Sequence, residues 1–442
     1  MPRKNQRNTT MPKNRIYLCL AHMSDAGLEQ KYINEAFASN WVAPLGPNVN
    51  AFEKDLEDFV NTPNSQLSIL NCQLNKCVVA LSSCTAALHL ALLLLGVGKD
   101  DEVLSQTFSF CASSNPITYC GAKPVFIDSE RDTWNMDPVL LERAIQDRIA
   151  TTGRKPKAII AVDLYGMPAD WKALEALSDK FGIPIIEDAA NALGSYYDGR
   201  PCGTFGAIRT LSFNGNKIIT TSGGGALVCD DEVTQKHAVF MATQARENAP
   251  YYQHEAIGFN YRMSNICAGI GRGQMTVLNE HIQHHQHVHT LYKELLGSVD
   301  GIQVNDNPSE RYNSNFWLTT ITLDPSVKVR GQEQQRTVFS DCEPNANVEA
   351  LRVILDQAGI EARPLWKPMH KQPVYRGVES LEFRVESLPN GIVRQTSDKS
   401  VAYINGVSEA LFKVGMCLPS GPYVSDDDVR YIVDAIKNAI EN

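Results

Sequence analysis

The stretch LSFNGNKIITTSGGGALV, residues 211–228, places one lysine, Lys217, between a strand-like apolar run and three successive glycines. A lysine on the surface requires no such setting. A lysine that bonds covalently to a small aldehyde has to be desolvated and held still, with backbone passing close beside it, which glycine allows. The stretch therefore leaves two alternatives for Lys217, a solvated turn lysine and a reactive amine. Other segments of the sequence must decide between them.

Runs rich in β-branched residues alternate with helix-length segments on both sides of this stretch. In chain order the runs are CVVAL, DEVLSQ, PVFID, KAIIAVDLY, PIIED, IRTLSF and GALVCD. Such alternation predicts an α/β fold with a mostly parallel, seven-stranded sheet covered by helices on both faces. Ligands of these sheets bind at the carboxyl ends of the strands. The residues that follow each run are therefore the candidates for a site.

The chain is predicted to divide into three parts. Residues 1–14 are basic and polar and are expected to form a flexible tail, and residues 15–296 are expected to form a large domain that includes a long connecting helix. Beyond it the sequence becomes more polar, and the segments FWLTTITL and NVEALRVILDQAGI predict a smaller α+β domain over residues 297–442.

Composition and charge disfavour several classes of function. The 442 residues carry a net charge of -9, which argues against nucleic acid or an anionic membrane as partner. The longest apolar run, TAALHLALLLLGVG, contains a histidine and is shorter than the roughly 20 residues that span a bilayer. Eleven scattered cysteines are typical of a reducing compartment. We therefore expect a cytoplasmic protein.

Small hydroxyl and alanine residues follow the first predicted strand. The stretch SSCTAALHLAL, residues 82–92, opens a strongly apolar helix whose first turn, at Cys84, Thr85 and Ala86, offers amides and hydroxyls to an anion. A plain capped helix is the alternative, because Ser and Thr are common N-caps. The stretch has neither the lysine of a Walker loop nor the glycine spacing of a dinucleotide fingerprint, so on its own it leaves phosphate binding open.

Two carboxylates end another buried run. In PIIEDAANALG, Glu187 and Asp188 close the predicted strand, where a carboxylate is costly unless it meets a cation or several donors. A helix N-cap is the alternative for this stretch. Taken together, an anion site, a carboxylate and Lys217 each follow a different strand and converge on one edge of the sheet. Pyridoxal phosphate requires these three partners.

The interpretation assigns each residue a physical role. Lys217 forms the Schiff base with the cofactor and then acts as mobile general base and acid. Asp188 pairs with the protonated pyridine nitrogen, and Ser212 joins the start of the apolar helix in holding the phosphate. Phe110, in TFSFCASSNPI, offers a stacking face to the pyridine ring.

Seven segments in a fixed order resemble one family: SSCTAALH, TFSFCASSNPI, YGMPAD, IIEDAANALGS, SFNGNK with GGG, GFNYRMSN and RPLWKPMH. From about residue 16 to residue 436 the chain resembles the sugar-nucleotide aminotransferases of the DegT/StrS group, which are fold-type I pyridoxal phosphate enzymes. The resemblance implies the four roles given above for Lys217, Asp188, Ser212 and Phe110.

The resemblance also implies a homodimer with shared sites. In it, Asn260 of GFNYRM reaches the phosphate in the neighbouring subunit. Contacts with a nucleotide sugar are implied for five residues, which are Trp41 and Gly46 in SNWVAPLGPNVNAFE, Arg262, and Lys367 and His370 in RPLWKPMH.

Two positions depart from the family pattern. Asn191 stands where relatives often carry His, Gln or Glu, and its shorter side chain is expected to meet the phenolic oxygen of the cofactor only through water. Cys84 stands where a glycine often precedes the phosphate-site threonine. Both changes affect fine geometry more than the identity of the cofactor.

The function implied by the resemblance is a pyridoxal phosphate-dependent transamination. The amino group moves from an amino acid, which we predict to be glutamate, to a nucleotide-linked 4-keto-6-deoxy sugar for surface glycan biosynthesis. SNWVAPLG and RPLWKPMHKQP are most similar to enzymes acting on UDP-2-acetamido-2,6-dideoxy-4-keto-hexoses. The alternatives are GDP-4-keto-6-deoxymannose, a dTDP-linked keto sugar and, from another class, a non-catalytic regulator that keeps the fold. A Rossmann dehydrogenase is disfavoured because its glycine fingerprint is missing.

A histidine-rich segment, EHIQHHQHVHT, lies outside these motifs. His281 with His285, and His285 with His289, form helical i,i+4 pairs of the kind that hold a metal. We favour a solvated face of the connecting helix, since no carboxylate or cysteine completes such a site in the sequence. Transamination needs no metal, and no metal site is predicted.

Overall fold

A computed structural model describes residues 15–62, 74–335, 342–376 and 384–440. The predicted tail, residues 1–14, lies outside this described part. The described α-helices are α1 (Leu28–Ala38), α2 (Pro47–Val60), α3 (Cys84–Leu94), α4 (Asn115–Tyr119), α5 (Pro138–Thr152), α6 (Trp171–Phe181), α7 (Glu232–Ala242), α8 (Asn265–Met275), α9 (Leu278–Leu296), α10 (Ala346–Gln357), α11 (Pro373–Arg376), α12 (Val407–Val414) and α13 (Asp426–Ala439).

The described strands are β1 (Cys77–Leu81), β2 (Glu102–Gln106), β3 (Lys123–Ile127), β4 (Ala158–Val162), β5 (Ile185–Asp188), β6 (Tyr196–Tyr197), β7 (Arg200–Pro201), β8 (Ile208–Ser212), β9 (Gly225–Cys229), β10 (Ile302–Val304), β11 (Tyr312–Asn313), β12 (Thr319–Leu323), β13 (Arg363–Pro364), β14 (Arg384–Ser387), β15 (Val393–Thr396), β16 (Val401–Ile404) and β17 (Gly415–Leu418).

The largest sheet has ten strands in the order β1-β9-β8-β5-β4-β2-β3-β16-β15-β14. Its central strands, from β8 across to β16, are parallel, whereas β9 runs antiparallel to both of its neighbours, β1 and β8. The first seven strands of this order are the seven apolar runs of the sequence. The predicted α/β fold with a mostly parallel sheet is therefore confirmed.

The strands carry apolar residues on both faces because helices cover both sides of the sheet. β4, with the sequence AIIAV, is buried at every position. In β1, Val78 and Ala80 join the core with α2, α5 and α6, while Val79 and Leu81 join the core on the α3 and α7 side. The alternation follows from the two-residue period of a strand. Burial on both faces explains why the strands read as continuous apolar runs.

The C-terminal third of the chain is shared between two sheets. Strands β10, β12, β17 and β13 form a separate four-stranded sheet, whose core includes residues of α9, α10 and α13. Strands β14, β15 and β16 instead extend the large sheet, with β16 parallel to β3. The four-stranded sheet lies beyond residue 297 whereas residues 384–404 pair with the large sheet, and the division of the chain at residue 297 stays a prediction. The short, partly exposed strands of residues 384–404 carry little periodic signal in the sequence.

The sheet order places the candidate residues at one edge. β1, β5 and β8 lie near one another in the large sheet, and α3, Asp188 and Lys217 follow or end these three strands. Among the described residues, none of the helices combines the length and the apolar character needed to cross a membrane.

Candidate active site

Asp188 is the last residue of β5 and the centre of the site. Its carboxylate accepts hydrogen bonds from the Ser113 hydroxyl at 2.6 Å and from the Ala190 amide at 3.1 Å, and the Cys84 thiol lies 3.9 Å away. The side chain is buried, which raises its pKa, and the hydrogen bond from Ser113 opposes that rise. The carboxylate is thus oriented by neutral donors and is available to a cationic partner.

Glu187, the other carboxylate of the sequence motif, serves a different purpose. Successive residues of a strand point to opposite faces, and Glu187 accepts hydrogen bonds from the amides of Gly203 at 2.6 Å and Phe205 at 2.7 Å. It therefore anchors the loop between β7 and β8. Of the two carboxylates, Asp188 alone is joined to Ser113 and Cys84.

Lys217 reaches the same edge from the loop after β8. Its amine donates a hydrogen bond to the side-chain oxygen of Asn191 at 2.5 Å and lies 4.0 Å from the centre of the Trp317 ring. Burial lowers the pKa of the amine from 10.5 to about 8, and the charge of Asp188 works against that change. Lys217 is therefore a desolvated amine rather than a solvated turn lysine.

The anion site is predicted at the start of α3. Ser83 is the N-cap, and its side chain accepts a hydrogen bond from the Ala86 amide at 3.0 Å. The amides of Cys84 and Thr85 lie in the first turn, where helix geometry provides no intrahelical acceptor. Of the three residues predicted here, Cys84 and Thr85 thus offer the amides for an anion. Ser212, the last residue of β8, is partly buried.

One of the three glycines after Lys217 packs against this helix start. A Cβ on Gly225 would lie 2.2 Å from the Cys84 nitrogen, so β9 can pass beside the first turn of α3 only as glycine. A Cβ on Gly224 would lie 2.2 Å from the Thr221 hydroxyl, whereas one on Gly223 would meet nothing within 4 Å. The sequence predicts close approach of backbone in this loop, and it occurs at Gly225 beside the first turn of α3.

Phe110 lies at the open side of the site. Its side chain is 56% exposed, and its ring centre is 5.7 Å from that of Trp366. It precedes the short 3₁₀ turn Cys111–Ser113, which also carries the hydroxyl that binds Asp188. Its role as a stacking face for the cofactor ring stays a prediction.

The predicted substrate residues Trp41 and Gly46 lie in one loop before α2. The buried side chain of Asn265 accepts hydrogen bonds from the amides of Asn48 and Val49 and donates to the Trp41 carbonyl at 2.9 Å. A Cβ on Gly46 would lie 2.6 Å from the Asn265 side chain, so glycine is needed for this contact. The Trp41 side chain is 42% exposed.

The other predicted substrate residues already have protein partners. Arg262 pairs with Glu53 at 2.5 Å. His370 is buried, with one ring nitrogen 2.7 Å from the Thr107 hydroxyl and the other 3.0 Å from Glu409. Lys367 lies 3.7 Å from Glu343. In this arrangement their roles toward a nucleotide sugar stay predictions. Asn260, predicted to cross to a second subunit, is exposed.

The prediction of a solvated histidine face is wrong. His281, His285 and His289 all lie on the buried side of α9. His289 stacks on Phe316, with 3.5 Å between ring centres, and His281 is paired with the Ile218 carbonyl at 3.0 Å. The sequence periodicity placed these residues on one face but could not tell that the face packs inward. Among the described residues, the three do not form a metal-holding group.

Three residues that contact the site were not predicted from the sequence. Ser113 stands in the quoted TFSFCASSNPI motif, where its hydroxyl was one of several small polar groups. Asn315 and Trp317 come just before β12, in a segment interpreted only as part of a small domain. Their sequence signal is an aromatic and an amide among strand residues, which is too common to indicate a site.

The comparisons with known proteins bear on this geometry. Residues 24–437 match the DegT/DnrJ/EryC1/StrS aminotransferase family. The chain is 43% identical to a Bacillus subtilis protein named as a pyridoxal phosphate-dependent aminotransferase, EpsN, over 96% of this chain and 95% of that protein. It is 32% identical to the GDP-perosamine synthase of Escherichia coli O157:H7, over 95% of this chain and 98% of the relative.

A third relative and a solved structure agree with the match. The UDP-4-amino-4-deoxy-L-arabinose–oxoglutarate aminotransferase of Shewanella sediminis is 30% identical over 82% of this chain and 86% of its own length. A DegT DnrJ EryC1 StrS aminotransferase from Brucella abortus shares the fold with a TM-score of 0.76 and 26% identity, covering 93% of this chain and 95% of that one. The predicted family, fold type and cofactor are confirmed.

The residues present fit pyridoxal phosphate. Asp188 is a buried carboxylate held by neutral donors, which suits a protonated ring nitrogen. The first turn of α3, where the amides of Cys84 and Thr85 have no intrahelical acceptor, suits a phosphate. Lys217 is a desolvated amine within the same group of contacts. With matching geometry, cofactor chemistry and relatives, the chain belongs to the DegT/DnrJ/EryC1/StrS aminotransferase family and is a pyridoxal phosphate-dependent sugar-nucleotide aminotransferase.

Proposed function

We propose that the protein moves the amino group of L-glutamate to the 4-keto carbon of a nucleotide-linked 6-deoxy sugar, with Lys217 as the residue that transfers the proton. The observation that carries the proposal is the Lys217 amine, which is hydrogen-bonded to Asn191 and lies against the Trp317 ring. Burial lowers the pKa of this amine to about 8 against the opposing charge of Asp188. A general base or acid works best when its pKa lies near the working pH. A lysine with an ordinary pKa would hold its proton too firmly.

Proton transfer is the task proposed for Lys217, with Asn191 as its support. Pyridoxal phosphate, when bound, supplies the electron sink that stabilises negative charge on the carbon next to the amino nitrogen. The Nζ atom of Lys217 accepts the proton from the amino-bearing carbon of the donor and later returns a proton to the former keto carbon of the sugar. Asn191 holds Nζ in place through its 2.5 Å hydrogen bond.

The remaining residues bind and orient. Asp188 would hold the ring nitrogen of the cofactor in its protonated form, and Ser113 orients the Asp188 carboxylate for that role. The amides of Cys84 and Thr85 and the hydroxyl of Ser212 bind the phosphate. Phe110 covers one face of the ring and limits the access of water.

The sugar substrate we propose is a UDP-linked 2-acetamido-2,6-dideoxy-4-keto-hexose. It is supported by the sequences SNWVAPLG and RPLWKPMHKQP, which surround Trp41, Gly46, Lys367 and His370. A GDP-linked 4-keto-6-deoxymannose is the second candidate, favoured by the GDP-perosamine synthase that is 32% identical over nearly the whole chain. Glutamate as donor is supported by the oxoglutarate aminotransferase among the relatives.

A panel of keto sugars tests the proposal. The holoenzyme is incubated with L-glutamate and, separately, with the UDP-linked, the GDP-linked and a dTDP-linked 3-keto or 4-keto sugar, and amino-sugar products are measured by mass spectrometry. We expect turnover of the UDP-linked sugar, and none with Lys217→Ala. Turnover of the GDP-linked sugar alone would establish the second candidate. Turnover of a 3-keto sugar alone would contradict both, and failure of every sugar and amino donor would favour the regulator.

We also propose a homodimer with shared sites. The loop that precedes Asn260 exposes large apolar side chains, with Tyr251 at 66%, Tyr252 at 81% and Ile257 at 85% exposure. Exposed apolar groups clustered in one loop are typical of an interface. A second copy of the chain that buries this loop would bring Asn260 toward the phosphate of its neighbour. Sedimentation of the purified protein as a monomer at micromolar concentration would contradict this proposal.

A further inference from the structure

The segment just before β12, which contains Asn315 and Trp317, contacts the site although it lies about 100 residues after Lys217 in the sequence. Asn315 is fully buried, and its side-chain amide donates to the carbonyls of Asn191 at 2.9 Å and Leu193 at 3.0 Å. Its side-chain oxygen accepts the Trp317 amide at 2.8 Å. Asn315 therefore ties together the two residues that contact the Lys217 amine.

The backbone between them is bent to present the indole. Phe316 has a φ of 48°, in the left-handed region that bulky residues seldom adopt. The bend is held on both sides, since the Phe316 amide donates to Ser314 and the Asn315 amide donates to Ser195, each at 2.9 Å. A Cβ on Gly166 would lie 2.0 Å from the Asn315 oxygen, so glycine makes room for the bend.

The indole of Trp317 is fixed over the lysine. Its Nε1 donates to the Asn216 carbonyl at 2.6 Å, and its ring centre lies 4.0 Å from the Lys217 Nζ atom. Only 3% of the tryptophan is exposed. An aromatic face attracts a cation through its quadrupole, and the attraction is strongest where water is excluded.

We propose that Trp317 is a positioning residue that holds the Lys217 amine against Asn191 and stabilises its protonated form, with Asn315 fixing the indole and Asn191 relative to each other. The charged and titratable groups that act on the amine are Asp188 from β5, Cys84 from α3 and Cys19 from the N-terminal segment. Trp317 adds to them a neutral partner that favours the cation without accepting its proton.

The position of the indole affects which protonation state the Lys217 amine adopts. Desolvation alone drives the amine toward its neutral form, whereas the indole face opposes this and keeps the ammonium accessible for returning a proton. That consequence rests on the proposed function of Lys217. The positioning itself concerns the amine and its neighbours and can be measured on the chain without cofactor.

The test measures the pKa of Lys217 in the full-length chain stripped of cofactor. Trace reductive methylation with formaldehyde and cyanoborohydride is carried out between pH 6 and 11, and the labelling of Lys217 is measured by peptide mass spectrometry. Two variants are compared, Trp317→Phe, which keeps an aromatic face, and Trp317→Leu, which is apolar without one. Both lose the hydrogen bond to the Asn216 carbonyl, so that bond cancels in the comparison.

The sign of the difference decides the outcome. We expect the Lys217 pKa in Trp317→Leu to be lower than in Trp317→Phe by about one unit. A pKa that rises in the leucine variant would show that the indole acts by excluding water, and equal values would show that its face is inert; either result overturns the proposal. Should the leucine variant not fold, as judged by circular dichroism, Trp317→Met replaces it.

A second variant tests Asn315. Asn315→Ala removes the side-chain oxygen that accepts the Trp317 backbone amide. We therefore expect the Lys217 pKa to fall toward its value in Trp317→Leu. An unchanged pKa in a folded Asn315→Ala chain would contradict its part in the positioning. None of these readouts uses the cofactor, so attachment of the cofactor to another lysine would overturn the proposed function while leaving this result standing.

Discussion

The Lys217 amine donates a 2.5 Å hydrogen bond to the Asn191 side-chain oxygen. Asn191 is buried and Lys217 is partly buried, so the amine exchanges part of its solvation for a neutral acceptor. The pKa of Lys217 accordingly lies at about 8, within reach of physiological pH. A proton on this nitrogen can be both released and regained in one catalytic cycle, as a transamination requires.

This lowered pKa predicts a pH dependence of stability in the cofactor-free chain. Between about pH 8 and pH 10.5, the unfolded chain keeps a proton on Lys217 that the folded chain has lost. The free energy of unfolding therefore rises with pH across that window, by at most about 3 kcal/mol. Urea titrations of the wild type and of Lys217→Met should differ by an amount that grows from pH 8 to 10.5. A difference that stays constant would contradict the lowered pKa.

The Ser113 hydroxyl is expected to matter because it binds the buried carboxylate of Asp188 at 2.6 Å. Ser113→Ala removes this donor, raises the pKa of Asp188 further and costs about 1–3 kcal/mol at the carboxylate. We expect kcat/KM to fall roughly tenfold or more. Ser109→Ala serves as the matched variant, because Ser109 reaches Asp188 only through Ser113 at 2.7 Å. Equal losses in the two variants would argue against a direct role for Ser113.

Gly225 and Gly223 offer a matched pair of variants that tests the start of α3. Gly225→Ala places a Cβ 2.2 Å from the Cys84 nitrogen and forces the start of α3 to move, whereas Gly223→Ala meets nothing within 4 Å. We expect cofactor affinity to fall at least roughly tenfold in the first variant, since displacement of a binding group by about 1 Å costs that much or more. The second should bind as the wild type does. Fluorescence titration with pyridoxal phosphate measures both affinities. Equal affinities would contradict the role of the α3 start in binding the phosphate.

A mixture of inactive chains tests the shared site. Lys217→Ala lacks the reactive amine, and Asn260→Ala lacks the group proposed to reach the neighbouring phosphate. In a mixed dimer one of the two sites contains both wild-type residues, so mixing should restore part of the activity. The measurement is steady-state turnover after co-refolding or prolonged exchange. Absence of any recovery, with subunit exchange confirmed by native mass spectrometry, would contradict an intersubunit role for Asn260.

The sequence predicts the large sheet well, for a physical reason. Strands covered on both faces have to be apolar at almost every position, so runs such as AIIAV and CVVAL stand out in the sequence. The residues after those runs, Asp188 and Lys217, could be proposed as a site because parallel strands bring their carboxyl ends to one edge. Their contact with Asn191 and Cys84 then follows from the strand order.

Other features depend on packing that no local pattern reports. Trp317 contacts Lys217, which lies 100 residues earlier in the chain, and Asn315 binds the Asn191 carbonyl. Nothing in their spacing indicates either contact. His281, His285 and His289 share a helical face in the sequence, but whether it meets solvent or core depends on the elements packed against α9. The join of β16 to β3 is likewise a long-range pairing between short strands.

The attachment site of the cofactor tests the central claim most directly. The holoenzyme is reduced with borohydride, which fixes the bond between cofactor and lysine, and is then digested and mapped by mass spectrometry. We predict the added cofactor mass on Lys217, and its loss when L-glutamate is supplied before reduction. Cofactor mass on a different lysine, or on none after loading with pyridoxal phosphate, would contradict the account.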